Sequence, residues 1–363
     1  MKTTIDAKAK AIMLFSQISN INFGYEASVE DLIANSERIN DIISTENVAS
    51  KKIKALWDCN WKVAWGPALN YFPKKGNTCH VNNSMFVVQG TDSITNKKVY
   101  VVAIAGTNEL SKFEMRSEDI AVTKVALWNK SNPTQGEISE GSMTGLEKVL
   151  GDFTYGAQGT LMDFFNKEVK QHGTANMEIM TCGHSLGGAL SPLVALKIKE
   201  TYQDILVSTY PTAGPTSGEA KFAQYLAATL GEDNYISVIN TNDIVPMAWE
   251  HETLAMIPDV YDKPESNNTK MNSKMEIALK VIAKEIELKK IDYTRIAKSQ
   301  EYRFTGSLTK PECPKNENGC DLFMLEAMYQ HSTPYFNEFF NGEEELVNAF
   351  RTLVYEDKPI GAK

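Results

Sequence analysis

Gly183-His184-Ser185-Leu186-Gly187 has the form G-x-S-x-G. It stands between an apolar run, Ile179-Met180-Thr181-Cys182, and a helix-forming run from Ala189-Leu190 to Glu200. Read as strand, tight turn and helix, the stretch confines the chain to an α/β class in which a serine is raised above the end of a sheet. A serine hydroxyl attacks poorly unless it is held in the open beside a base and a set of hydrogen-bond donors. The turn meets that need by holding the serine backbone in a strained conformation. Gly183 and Gly187 lack a Cβ, so strand and helix can approach closely. The helix directs its positive N-terminal end at the place where negative charge would develop. A glycine-rich turn with an incidental serine is the simpler alternative, and the flanking strand and helix argue against it.

The rest of the chain alternates in the same manner. Residues 5–19 read as a short amphipathic helix. Ser28-Val29-Glu30-Asp31 resembles a capping box ahead of a helix carrying Leu32, Ile33, Ile39, Ile42 and Ile43, so residues 1–56 read as an N-terminal helical layer. Met85–Val88 and Val99–Ile104, with Gly90-Thr91-Asp92-Ser93 between them, predict a hairpin. A helix over about 143–170 precedes the elbow strand. Strands at 205–209 and 235–239 then flank a helix at about 220–230. Such alternation implies a mainly parallel sheet covered by helices on both faces. Pro258–Asn272 reads as a mobile loop and 273–298 as a Lys/Glu-rich helix with a solvated face, together an insertion of about 252–325. The expected organisation is a helical extension, 1–56, and one catalytic domain, 57–363, that contains the insertion.

With 363 residues and 42% hydrophobic content, the chain can bury a sizeable core. A net charge of -9, with no basic block, argues against nucleic acid or an anionic membrane as the main partner. No apolar run is long enough for a transmembrane helix. The apolar run Ala11–Phe15 is shorter than a signal-peptide core, so the expected location is outside the cell for a mature form and the cytoplasm otherwise. Of five cysteines, Cys182 reads as a buried small hydrophobe. Cys313 and Cys320 bracket a loop that a disulfide could close, and Cys59 with Cys79 is a second candidate pair. The five histidines show no metal-ligand spacing, so neither metal nor cofactor is expected.

A serine nucleophile needs a base, and the base an orienting carboxylate. In the α/β-hydrolase arrangement the order is serine, acid, histidine, each past a strand end. Asp243, in Thr241-Asn242-Asp243-Ile244-Val245-Pro246, follows the strand at 235–239, although an Asx turn ahead of proline is a common fate for such a residue. His80 and His172 precede the elbow, and the side chain of His184 should diverge from Ser185 on so tight a turn. His251 lies too near Asp243 to sit on a separate loop. The order selects His331, expected at a helix-loop-helix junction. Gly106-Thr107 ends the strand at 99–104, where a backbone N–H paired with that of Leu186 would bind an oxyanion, with the Thr107 hydroxyl as a further donor.

The chain resembles the class 3, or fungal-type, lipases of the α/β-hydrolase superfamily over roughly residues 80–340. The stretches that carry the resemblance are Val101–Thr107, Gly183–Ala189, Pro211–Gly218 with Phe222, and Asn240–Pro246. Four features depart from the family: Ala105 replaces its usual arginine, Ser139-Glu140-Gly141-Ser142 stands where His-x-Gly-Phe is frequent, the insertion between Asp243 and His331 is long, and the N-terminal layer is unusual. The resemblance implies Ser185, Asp243 and His331 as a catalytic triad, with Thr107 and Leu186 as the oxyanion pair. It also places a lid at 108–128, where Phe113 and Trp128 would meet the pocket mouth or lipid. The expected activity is hydrolysis of acylglycerol or related fatty-acyl esters, with transient contact at a lipid interface. The alternatives are an esterase for soluble esters, a phospholipase A1, or an idle scaffold that binds partners.

Overall fold

A computed structural model of the protein describes residues 4–73, 78–111, 114–151, 153–313 and 320–356. Ten strands are formed among them: β1 Glu26–Ala27, β2 Lys62–Pro73, β3 Cys79–Thr91, β4 Lys98–Ile104, β5 Val125–Leu127, β6 Glu137–Ser139, β7 Met177–His184, β8 Leu206–Thr212, β9 Val238–Asn240 and β10 Tyr302–Phe304. The main sheet runs β1-β3-β4-β7-β8-β9-β10, with β2 also paired to β3. From β4 to β10 every pairing is parallel, while β3 pairs antiparallel with β1, β2 and β4. This is the α/β-hydrolase architecture anticipated from the alternation of elements.

Successive side chains of a strand point to opposite faces, and β4 divides accordingly. Tyr100, Val102 and Ile104 join one core with the helices Glu140–Leu150, Leu161–His172, Leu186–Thr201 and Ala220–Leu230. Val99, Val101 and Ala103 join the other, against the helices Ala7–Ile18, Val48–Leu56 and Glu344–Arg351. The N-terminal layer is thus one of the two covers of the sheet. Its Ile12, Leu14, Phe15 and Ile18 are fully buried, each worth about 1.5–3 kcal/mol of burial.

Several expectations require correction. The single helix over 143–170 is two, Glu140–Leu150 and Leu161–His172. Between them Gly156 turns at φ 86°, with its Cα so close to the Pro67 carbonyl that a side chain would collide. The loop Pro258–Asn272 is packed, because Val260, Tyr261 and Met271 enter a third core with Leu254, Ile286 and Phe323. The following helix ends at Lys289, and the region expected as an insertion also supplies β10 to the main sheet. The disulfide between Cys313 and Cys320 is formed as their spacing allowed, whereas Cys59 and Cys79 are not joined to each other. Among the described residues no helix is long and apolar enough to cross a membrane.

Candidate active site

Strand β7 delivers Ser185 to the turn at φ 60° and ψ −124°, a conformation that costs a non-glycine residue energy and is held by its surroundings. A Cβ on Gly183 would lie 2.3 Å from the backbone of Gly187, so glycine lets the strand and the helix Leu186–Thr201 cross. Ser185 is half-buried, and its N–H donates to the Thr212 carbonyl of β8 (3.0 Å).

Asp243 follows β9 and is fully buried. Its Oδ1 accepts the Val245 N–H (2.9 Å), while its Oδ2 faces His331 Nδ1 (2.8 Å) and accepts the Tyr335 hydroxyl (2.8 Å). Burial and Asp243 push Tyr335 well above its ordinary value, which keeps its proton in place as a donor. His331 lies within the continuous helix Leu322–Phe340 and not at a junction, although Pro334 interrupts the hydrogen-bond pattern. Proline lacks the N–H that would bond the carbonyl one turn back, that of Gln330. Asn240 Nδ2 donates to that carbonyl (2.9 Å), so the broken turn becomes the point that ties the β9 end to the helix of His331.

His184 does not diverge from the site. Its ring packs on that of His331 (centroids 4.5 Å apart) and edge-on to Tyr335 (5.5 Å). Burial, with His331 close by, holds its basicity well below the ordinary range, so it is a neutral support beneath the His331 ring. His251 begins the short helix His251–Leu254 and is exposed.

Thr107 and Leu186 line one groove with Ser185, and among the described residues neither backbone N–H has a partner within the chain. The Thr107 hydroxyl donates to the Asp119 carboxylate (3.0 and 3.1 Å) in a short helical turn, Glu114–Asp119. Burial pushes Asp119 up to about 6, against the opposing effects of Thr107 and His331. The adjoining Glu118 is almost wholly buried and accepts from Asn83 Nδ2 (3.1 Å). Burial pushes Glu118 up to about 7 from an ordinary 4.5, Asn83 and Lys148 opposing and Asp119 adding. The unfolded chain therefore releases this proton at lower pH than the folded one. Stability should fall by about 3 kcal/mol as pH rises from 4.5 to about 7, at roughly 1.4 kcal/mol for each pH unit, and level off above. Chemical denaturation of Glu118→Gln between pH 5 and 8 should show a flatter dependence than the parent, and parallel curves would count against this origin.

The lid expectation is corrected in part. Phe113 lies outside the described residues. Trp128 is 4% exposed, packs on Phe222 (5.1 Å) and donates from Nε1 to Glu200 (2.8 Å). Strand β5, just before it, pairs with β6, so the end of the 108–128 segment is anchored in the core, where aromatic burial outweighs exposure at a pocket mouth.

Two clefts meet at Ser185. One, about 400 Å³, is an apolar groove between the loop Ile244–Trp249 and the helix Ser273–Lys289. That helix contributes Met275, Ala278, Leu279 and Ile282, one face at helical spacing, while its Lys–Glu pairs lie on the solvent side. The other, about 300 Å³, lies beside His331. Thr107 and Ser185 belong to both. Asp119, Tyr335, His184 and this helix face did not emerge as site residues from the sequence. Tyr335 stands four residues past His331, a legible helical neighbour, and the apolar stripe was legible too; Asp119 carried no signal. Among the described residues no group of side chains could hold a metal ion.

Residues 101–252 match the family described as lipase (class 3). This segment belongs to the class 3 lipases. Thr107, Ser185, Leu186 and Asp243 fall within the class 3 lipase segment, and His331 beyond it. The whole chain is similar in structure to M37 lipase, with a TM-score of 0.72 and 24% identity over 96% of this chain and 98% of that one. More distant similarities are to a lipase from Rhizopus microsporus var. chinensis (TM-score 0.44, 16% identity, 68% of this chain and 70% of that one) and to Rhizomucor miehei lipase in a propeptide complex (0.46, 14%, 68% and 64%). No curated protein sequence matches the chain. The class 3 lipase segment supports a lipase-type hydrolase, and the fold shared with M37 lipase extends over the whole chain.

Proposed function

We propose that the chain hydrolyses fatty-acyl esters through an acyl-enzyme on Ser185. The observation that carries this reading is the pair His331–Asp243, 2.8 Å apart across 88 residues of sequence, facing the cleft wall that holds the strained Ser185. In it, Asp243 holds the His331 tautomer with Nδ1 protonated, leaving Nε2 to take the Ser185 proton. The serine oxygen adds to the ester carbonyl, and the oxyanion meets the N–H groups of Thr107 and Leu186. His331 then protonates the departing alkoxide, and water releases the acid with His331 as base. Ser185 and His331 share no hydrogen bond in this structure, a looseness usual before substrate is bound.

The apolar groove favours a fatty-acyl substrate over small polar esters. Its walls take an extended chain without an unpaired polar group, and burying one methylene is worth about 0.8 kcal/mol. An idle scaffold has no use for two free N–H groups beside a serine that lines both clefts. A fluorophosphonate probe should label the protein at one site. Peptide mass spectrometry should place the adduct on Ser185, and Ser185→Ala should take none. Equal labelling of the alanine variant would overturn the reading.

A further inference from the structure

The two clefts are not equivalent to the departing alcohol, and this difference, which rests on the proposed function, defines what the enzyme releases. When the acyl C–O bond breaks, the electron pair stays on the alcohol oxygen, which takes the proton from His331 Nε2. The leaving oxygen must therefore lie on the His331 side of Ser185. His331 lines only the 300 Å³ cleft, so that cleft holds the alcohol and the apolar groove holds the acyl chain.

The alcohol cleft has a distinct chemistry. Its outer walls come from the N-terminal segment (Gln17, Asn20, Phe23), from Met328 and Tyr329 on the helix of His331 and from Val354 near the C-terminus, so a mainly apolar lining carries a few polar groups. Asn20 is already engaged, because its Oδ1 accepts the Gly106 N–H (2.8 Å) and its Nδ2 donates to the Ser16 carbonyl (3.0 Å). The amide of Gln17 and the hydroxyl of Tyr329 have no partner among the described residues, and both side chains are half-buried. No lysine, arginine, aspartate or glutamate lines the cleft among those residues. A phosphate or ammonium group placed here would lose water without gaining a counter-charge. Free hydroxyls would gain partners that are otherwise idle, and a site built to bond a hydroxyl rejects the analogue that lacks it. A cleft of about 300 Å³ is at the small end for ligand sites, which suits a compact alcohol.

We infer that Gln17 and Tyr329 select the leaving group, and that it is a compact uncharged polyol, such as the glyceryl group of a monoacyl ester, in preference to a simple alkanol or a phosphorylated head group. The N-terminal segment then acts in specificity as well as in covering the sheet.

The test compares the full chain on three esters of one acyl chain, presented in the same detergent micelles: glyceryl, butyl and glycerophosphocholine. The glyceryl ester should exceed each of the others in kcat/KM by about tenfold or more. In Gln17→Leu, and separately in Tyr329→Phe, the glyceryl-to-butyl ratio should fall several-fold. Restoration of the ratio in Gln17→Asn would support a direct hydrogen bond over a packing role. A wild-type ratio near one, ratios unmoved in both variants, or a phosphorylated ester that matches the glyceryl ester would each overturn the inference and leave ester hydrolysis standing. If Ser185 takes the fluorophosphonate label but none of the three esters is cleaved, both readings fall.

Discussion

Ser185→Ala should lower kcat on a fatty-acyl ester by on the order of 10⁴-fold or more, His331→Ala by a similar factor, and the double variant by little more than either. Non-additivity is the diagnostic feature. A serine without its base keeps its proton, and a base without its serine has nothing to activate, so the second loss removes a function already gone. Asp243→Asn should cost somewhat less. It preserves volume in a site that is fully buried and keeps an oxygen for the Val245 N–H, but its NH2 replaces the oxygen that faces His331 and Tyr335 and so favours the wrong imidazole tautomer. Asp243→Ala would confuse the result by stranding those donors in the interior. Since His184 is a buried neutral ring packed on His331, its exchange for phenylalanine should alter kcat far less than loss of His331. His251→Ala, on an exposed short helix, should be silent. Rates at saturating ester for the two single variants and the double decide the matter. Multiplying effects, or a silent His331→Ala, would break the proposed unit.

Thr107→Val should lower kcat by about 10²-fold with KM little changed, roughly 3 kcal/mol of binding confined to the transition state. The substitution retains shape and the backbone N–H, and deletes the hydroxyl alone. A hydroxyl has one proton, and here it points to Asp119. A developing oxyanion beside Ser185 would compete for it. Burial holds the carboxyl at about 6, so while ionised it accepts this proton more strongly than a solvated aspartate and fixes the hydroxyl, and it can itself be protonated at mildly acidic pH. Asp119 therefore positions the hydroxyl. Asp119→Asn, which can still hydrogen-bond, should cost less than Thr107→Val, and the shortfall should be in kcat and not KM. Thr107→Ser should recover most of the rate, because it restores the donor without the methyl group. An unchanged kcat in Thr107→Val would assign the oxyanion to the two backbone N–H groups alone.

Covering one face of the sheet, the N-terminal helices could not be recognised as core from periodicity. The stripe Ile12, Leu14, Phe15, Ile18 shows that a helix is buried but not against what. The same limit explains Trp128. An aromatic residue downstream of β4 has the composition of a lid, and only its docking on Phe222 and Glu200 places it in the core. The Lys/Glu-rich helix was legible as a helix with a solvated face, whereas its second face, Met275 to Ile282, acquired meaning only once it closed a groove over Ser185.

What the sequence determined by itself is local. A strained serine between two glycines, the period-two strands and the acid loop after a strand are set by backbone sterics and side-chain alternation within a few residues. The tertiary structure alone decided that Asp243 meets His331, that Tyr335 and His184 brace the pair, that Asp119 reaches Thr107, and that the serine divides an apolar groove from the cleft beside His331. Each of these contacts joins residues brought together by parallel strand order and helix docking. Their free energy lies in burial and in hydrogen bonds between distant segments, which no local window of sequence contains.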